Sequence, residues 1–356
     1  MKVAFAIRES YLSNRGGDTY QFLKTKEYLE KYKDVEIEIV HSVSELEKLE
    51  VDLVHVFNIQ TCEFTNAIIE AAKKRNLKVV MSTIFWTREA TYVNVCSKIT
   101  TNFKLVYKLN GLSKVVAYMR HWETYKPYKK SLLGCDMILP NSDTEGMLLV
   151  KEHKVKVEQI VVPNCIDIKL KSDSVVENLP ENFVLEVARI EPTKNQLGVV
   201  MALMNHKEIP LYFIGKQNDC HRKYIQKVKE LGEKRGNTYF IEEMPQEELV
   251  AYYKAAKVHV LPSFRESPGL VSLEALFYKT NIVVSNERFC PTKYYKFDEY
   301  AYICNPYSID SIKDAIVQAY QNEIIEVEDE YFSFINYKNA AKLTREAYMK
   351  VLNINE

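Results

Sequence analysis

No excess of charge of either sign is present: 48 Lys and Arg stand against 48 Asp and Glu in 356 residues. Broad binding to nucleic acid, which needs a basic surface, is therefore not indicated. No run of about 18 apolar residues occurs, so no membrane span is expected. The opening Met-Lys-Val-Ala-Phe-Ala-Ile-Arg is too short in its apolar part for a signal peptide and reads as a first strand, which points to the cytoplasm. The seven cysteines, at 62, 96, 135, 165, 220, 290 and 304, are odd in number and lack paired metal-binding spacing. They fit reduced, packed thiols rather than disulfides or a structural zinc site. Internal repeats and low-complexity tracts are also missing. The length allows two domains.

What is present centres on one stretch, Val258 to Phe277. Val258, Val260 and Leu261 form the short apolar run that a central parallel strand needs. Beyond a polar loop, Leu270, Leu273, Leu276 and Phe277 recur at helical spacing. Pro268 is expected at the first helical position, where its missing N–H costs nothing. Gly269 lets a ligand approach the backbone closely. Amides at this helix start, about residues 268 to 271, make an anion site with the helix dipole. Glu266 and Glu274 bracket it. Carboxylates would spoil a bare phosphate site, but they accept hydrogen bonds from sugar hydroxyls. The pair therefore suits a ligand with hydroxyls on both sides of a phosphate, a nucleoside-diphosphate sugar. Taken singly, either Glu also fits an ordinary helix start.

Glu266 and Glu274, with seven residues between them, resemble the E-x7-E signature of the retaining glycosyltransferases of family 4. The resemblance spans most of the chain and is strongest from 137 to 285. It implies the GT-B fold: two Rossmann-like, doubly wound α/β domains facing across a cleft. It also implies that Glu274 accepts the ribose hydroxyls, that Glu266 contacts the transferred sugar, and that Ser267, Pro268, Gly269 and Leu270 line the donor.

Phe183 to Ala188 reads as a strand and runs into Arg189-Ile190-Glu191-Pro192-Thr193-Lys194-Asn195. Two cations five apart across a turn converge on one ligand. A planar guanidinium fork and a movable ammonium suit a diphosphate, and a strand end before a helix is where α/β sheets bind ligands. Family 4 has R-(I/L)-x-x-x-K-(N/G) at this place, and the resemblance makes Arg189 and Lys194 leaving-group stabilisers acting with Glu266. Gly16 and Gly17, before the first helix, allow close approach or simply form a tight turn. The matching family loop reaches the donor phosphates, so both glycines are carried over. Gly215, closing the strand from Leu211, and Met244, in the turn where the family reads the base through its backbone, complete the donor set.

Strands expected at Lys2 to Ile7, Val35 to Val40, Val51 to Phe57 and Leu77 to Met81, with helices between them, argue for a doubly wound parallel sheet. The first domain is expected over 1–168 and the second over 169–334, with a polar linker from Lys169 to Asn182. A final helix, 335–356, is expected to pack back on the first domain. The loop after Met81 lacks the His-Asp pair that many family 4 members carry there. Trp86 and Arg88 in this loop, with Asn58 at the polar end of the third strand, are the acceptor-side candidates; Trp86 either stacks on a sugar or lies in the core. Pro163-Asn164-Cys165-Ile166-Asp167 resembles the family's P-N-G-(V/I)-D hinge, with Cys in place of Gly. Residues 98–130 carry eight Lys and Arg against a single acid, Glu123, interleaved with apolar and aromatic residues. This suits an anionic membrane surface or a pyrophosphate-linked lipid acceptor, or else a solvated helix face with core contacts.

The implied reaction moves a sugar from a nucleoside-diphosphate sugar, UDP ahead of GDP, to a glycan or lipid-linked glycan in surface-polysaccharide synthesis. Configuration is retained by front-face attack, the donor phosphate taking the acceptor's proton, with no metal, cofactor or side-chain base. Nucleic acid is not an expected partner. A nucleotide-sugar 2-epimerase of the same fold, a non-catalytic sugar-nucleotide-binding protein and an exported two-lobed binder are the alternatives.

Overall fold

The computed structural model describes residues 1–13, 16–86, 90–99, 104–167 and 179–354. Most of the expected linker, residues 168–178, lies outside the described residues. Among the described residues twelve strands form two six-stranded sheets, and every pairing between neighbours is parallel. The chain divides into two compact units. One comprises Met1–Trp86, His121–Ile166 and Ser333–Glu356; the other comprises Thr87–Arg120 and Asp167–Phe332. No described helix is long and apolar enough to cross a membrane.

The first unit holds β1 (Lys2–Ala6), β2 (Glu36–Val40), β3 (Leu53–Phe57), β4 (Lys78–Ser82), β5 (Met137–Leu139) and β6 (Glu158–Gln159), in the order β2-β1-β3-β4-β5-β6. All five β3 side chains are buried, as expected of a strand covered on both faces. The polar exception, His55, is satisfied on both ring nitrogens, by Tyr348 Oη at 2.6 Å and Ser82 Oγ at 2.9 Å. Burial pushes its pKa down to about 3, so it is neutral. One face of the sheet is covered by the helices Gly17–Leu29 and Tyr337–Leu352, whose Tyr20, Tyr28 and Tyr337 rings pack together. Ile68, Ile69 and Ala72 of the helix Cys62–Lys74 cover the other. The final helix thus belongs to the first unit, tied there also by Arg345 to Asp34 at 2.8 Å.

The second unit holds β7 (Phe183–Val187), β8 (Leu211–Ile214), β9 (Thr238–Ile241), β10 (Ala256–Leu261), β11 (Asn281–Ser285) and β12 (Ala301–Cys304), in the order β12-β11-β10-β7-β8-β9. Arg235, fully buried at the end of the helix Arg222–Arg235, donates to the carbonyls of Leu203 (2.9 Å), Ile209 (2.6 Å) and Asn237 (2.9 Å). One guanidinium therefore ties three backbone carbonyls together, two of which, Leu203 O and Asn237 O, also accept a backbone N–H.

One boundary differs from the expectation. The stretch 87–120 was assigned to the first domain, yet its described part packs in the second unit. Ala90, Tyr92, Val93 and Val106 are buried in the same core as Val184, Leu197, Val258 and Phe264. Tyr107 Oη donates to Asn195 Oδ1 at 2.8 Å. An insertion between β4 and β5 has no strand of its own, so its apolar residues bury wherever a complementary face exists.

Both strand orders contain one reversal, at β1/β3 and at β7/β10, where successive connections leave in opposite directions. That is where open α/β sheets bind ligands, beyond the carboxyl ends of the strands.

Candidate functional site

In the second unit, β7 and β10 are neighbours, and their following loops carry the two motifs. The loops are stitched together three ways. Phe264 N–H donates to Thr193 O at 2.8 Å. Asn195 Nδ2 donates to Pro262 O at 3.0 Å. Lys194 Nζ meets Glu266 Oε1 at 2.6 Å, with both side chains mostly buried. Glu266 N–H in turn donates to Phe289 O at 2.8 Å. An ammonium held by one carboxylate keeps further N–H donors for a phosphate oxygen.

Arg189 is 40% exposed, with Nη2 at 3.5 Å from Glu191 Oε2. Burial disfavours charge on Glu191, but the charges of Arg189 and Lys194 and a hydrogen bond from Thr193 outweigh it and hold the carboxyl below its ordinary value. Both oxygens of Glu186 in β7 are buried with no hydrogen-bond partner among the described residues. Burial pushes this carboxyl well above the usual range; the Lys194 charge opposes the rise and Glu266 adds to it.

The helix Leu270–Phe277 begins two residues later than expected. Pro268 is buried ahead of the cap rather than at the first helical position. Gly269 is the cap residue, with φ +93°, a conformation that glycine adopts without strain. A Cβ there would lie 3.0 Å from Leu261 and 3.3 Å from Glu266 Oε2, so the glycine also lets Glu266 fold against the helix start. Ser267 and Leu270 flank it, half-buried. Glu274, in the second turn, accepts from Gln246 Nε2 at 2.6 Å and Tyr253 Oη at 3.0 Å. Burial raises its pKa to about 7 against these two hydrogen bonds. Gln246 opens the helix Gln246–Ala255, so the turn bearing half-buried Met244 is joined to Glu274 through it.

Gly215 follows β8 with φ +153°, and a Cβ there would lie 2.1 Å from Ala188 O. The residue before Arg189 can occupy its place only because position 215 has no side chain.

The first unit has its own polar cluster at β1/β3. Arg8 pairs with Asp18, which also accepts from Asn58 Nδ2 at 3.0 Å. Burial disfavours its charge, yet these bonds keep the Asp18 carboxyl below its usual value. Gly16 caps the helix Gly17–Leu29, and a Cβ on Gly17 would meet nothing within 4 Å. Asn58 is therefore engaged by Asp18 and held at φ +75°. Trp86 is 3% exposed, which is the core placement of the two considered for it. Arg88 lies outside the described residues.

Charged side chains of the two sequence motifs thus meet in one loop pair at the reversal of a Rossmann-ordered sheet. Residues 167–339 match the glycosyl transferases of group 1. This group 1 match covers just under half of the chain and contains both motifs. An O-antigen chain mannosyltransferase B from Escherichia coli is 25% identical over 216 residues, which is 56% of this chain and 55% of that protein. The chain therefore spans about half the length of this curated relative. Among solved structures, sucrose-phosphate synthase from Thermosynechococcus elongatus superposes with a TM-score of 0.74 at 16% identity, covering all of both chains. An Escherichia coli trehalose-6-phosphate structure bound with UDP-2-fluoro glucose superposes at 0.71 and 11% identity, again over all of both chains. These likenesses, with two parallel six-stranded sheets, give the GT-B fold.

Asn195, Glu186, Gln246 and Tyr253 were not singled out from sequence. Asn195 follows the lysine of the R-x4-K motif, so its neighbourhood was marked. Gln246 and Tyr253 reach Glu274 from a different helix, and no spacing rule announces that.

Proposed function

We propose that the protein is a retaining, family 4 hexosyltransferase using a nucleoside-diphosphate sugar, UDP ahead of GDP, and a glycan or lipid-linked glycan acceptor. The observation that carries this reading is the Lys194–Glu266 contact between the two motif loops. The group 1 match over both motifs supports the reaction class. The O-antigen relative supports a place in surface-polysaccharide synthesis, and the UDP-sugar-bound neighbour supports a uridine donor.

On this reading the diphosphate takes the place beside Lys194 and Arg189, whose charges offset the negative charge that grows on the leaving group as the sugar–phosphate bond breaks. Glu266, released from sole pairing with Lys194, accepts from hydroxyls of the transferred sugar. Glu274 accepts from the ribose hydroxyls, which its ionised form does best. Amides at the helix start near Gly269 and Leu270 add neutral donors to the phosphates. Attack occurs on the face the leaving group departs from. A donor oxygen takes the acceptor's proton, so no side-chain base is assigned. The two cations serve in place of a metal, and the enzyme acts in the cytoplasm.

The test is incubation with UDP- and GDP-hexoses and a lipid-linked glycan acceptor, in the presence of a chelator, with NMR of the product anomer. Transfer with retained configuration, undiminished by the chelator, is expected. An epimerised donor would move the protein to the epimerase class, and binding of donors without turnover would move it to a binding protein.

A further inference from the structure

Fifteen large apolar side chains are exposed among the described residues, and six of them fall between 105 and 119. Leu105, Leu109, Leu112, Val115, Tyr118 and Met119 range from 37% to 67% exposed. From Leu105 to Tyr118 they follow one another three or four residues apart, with Met119 next to Tyr118, along Lys104–Lys108, Asn110–Leu112 and the start of the helix Ser113–Gly134. Isolated exposed apolar residues are ordinary; a concentrated row marks an interaction surface.

The other side of the same segment is already engaged. Val106 is buried in the second unit's core with Val116 and Tyr107 packed against it. Tyr92 Oη donates to Leu109 O at 2.9 Å, and Tyr107 is bonded to Asn195. The outward row therefore cannot turn inward without giving up that packing.

Charge selects the partner. From Ala90 to Trp122 the sequence has five Lys and Arg and no Asp or Glu, in a chain of zero net charge. Lys108 and Lys114 are exposed within the apolar row itself. Apolar side chains interleaved with lysines and a tyrosine are the composition of a segment lying in the interface of an anionic bilayer. A second copy of the chain would bring like charge against like. We propose that the outward face of 105–119 docks on an anionic lipid bilayer, apolar side chains entering the interface and lysines meeting the headgroups.

The experiment is flotation of the purified chain with vesicles of equal parts phosphatidylcholine and phosphatidylglycerol, compared with phosphatidylcholine alone, without any sugar nucleotide. Binding to the mixed vesicles, weakened by salt, is expected. Lys108→Glu with Lys114→Glu, and separately Leu109→Glu with Met119→Glu, are each expected to cut it by about tenfold or more, with the thermal melt unchanged. Absence of flotation, equal binding to pure phosphatidylcholine, or a concentration-dependent dimer dissolved by the Leu109→Glu pair would overturn the proposal. Because no donor is present, the outcome is independent of the transferase reading.

Discussion

Glu274 is the group whose environment makes the sharpest demand. Its carboxyl is buried, and its pKa is raised from 4.5 to about 7. In the unfolded chain it returns to the ordinary value, so between these two pH values the folded protein binds a proton that the unfolded chain releases. Stability contributed at this site is therefore intact below about pH 4.5, falls as pH rises, and levels off above about pH 7. The full difference is about 3 kcal/mol. Glu274→Gln keeps the shape and removes the titration. Whatever constant offset the new amide brings, the variant should gain on the parent by about 2.5 kcal/mol between pH 5 and pH 8. Urea unfolding at a series of pH values measures this, and the chain provides an internal control. Both tryptophans, Trp86 and Trp122, belong to the first unit, so indole fluorescence follows that unit while far-ultraviolet circular dichroism follows both. Only the dichroism transition without a fluorescence counterpart should differ in its pH dependence between variant and parent. A difference flat to within about 1 kcal/mol would mean that Glu274 ionises in the folded protein as it does in water, and the argument from burial would fail. The same titration bears on ligand: donor affinity should rise as pH passes through 7, because the ionised carboxylate is the better acceptor for ribose hydroxyls, and that rise should vanish in Glu274→Gln.

Three further outcomes are expected. Lys194→Ala should lower donor turnover by about a hundredfold or more, the scale of losing one leaving-group stabiliser, and a near-normal kcat would refute that role. Gly215→Ala puts a Cβ against Ala188 O at a backbone conformation other residues rarely adopt; a loss of about 2 kcal/mol or more and a raised donor KM are expected, and an unchanged melt and KM would show that the loop yields freely. Tyr348→Phe removes the hydroxyl that meets His55 Nδ1 and should cost the first unit about 1–3 kcal/mol, seen as an earlier fluorescence transition.

The strands were legible because parallel sheets covered on both faces need unbroken apolar runs, and Val3–Ala6, Leu53–Phe57 and Val258–Leu261 supply them. The motif loops were legible because unusual residues cluster at strand ends: two cations after β7, two acids and a glycine after β10. The exact helix start was not. Pro268 satisfies the rule for a first helical residue, but the position of Gly269 at φ +93° sets the start at Leu270, and no local rule ranks one signal above the other. The placement of 87–120 was hidden for a different reason. Its apolar residues recur at helical spacing whichever unit they cover, so periodicity gives the buried face and leaves the partner open.

That placement changes how the loop bearing Lys194 is held. Asn195 stands at φ +70° and spends its amide on Pro262 O and Pro306 O, fixing the loop after β7 to the loops after β10 and β12. Its remaining acceptor, Oδ1, is taken by Tyr107 from the inserted segment. Three elements far apart in sequence thus converge on the residue next to Lys194, and one of them carries the exposed apolar row on its other side. Tyr107 and Val106 point inward while Leu105 and Lys108 are exposed, so a single helical turn separates the outer face from Asn195. The Tyr107 hydroxyl is thus the direct link between the segment proposed to meet lipid and the loop bearing Lys194.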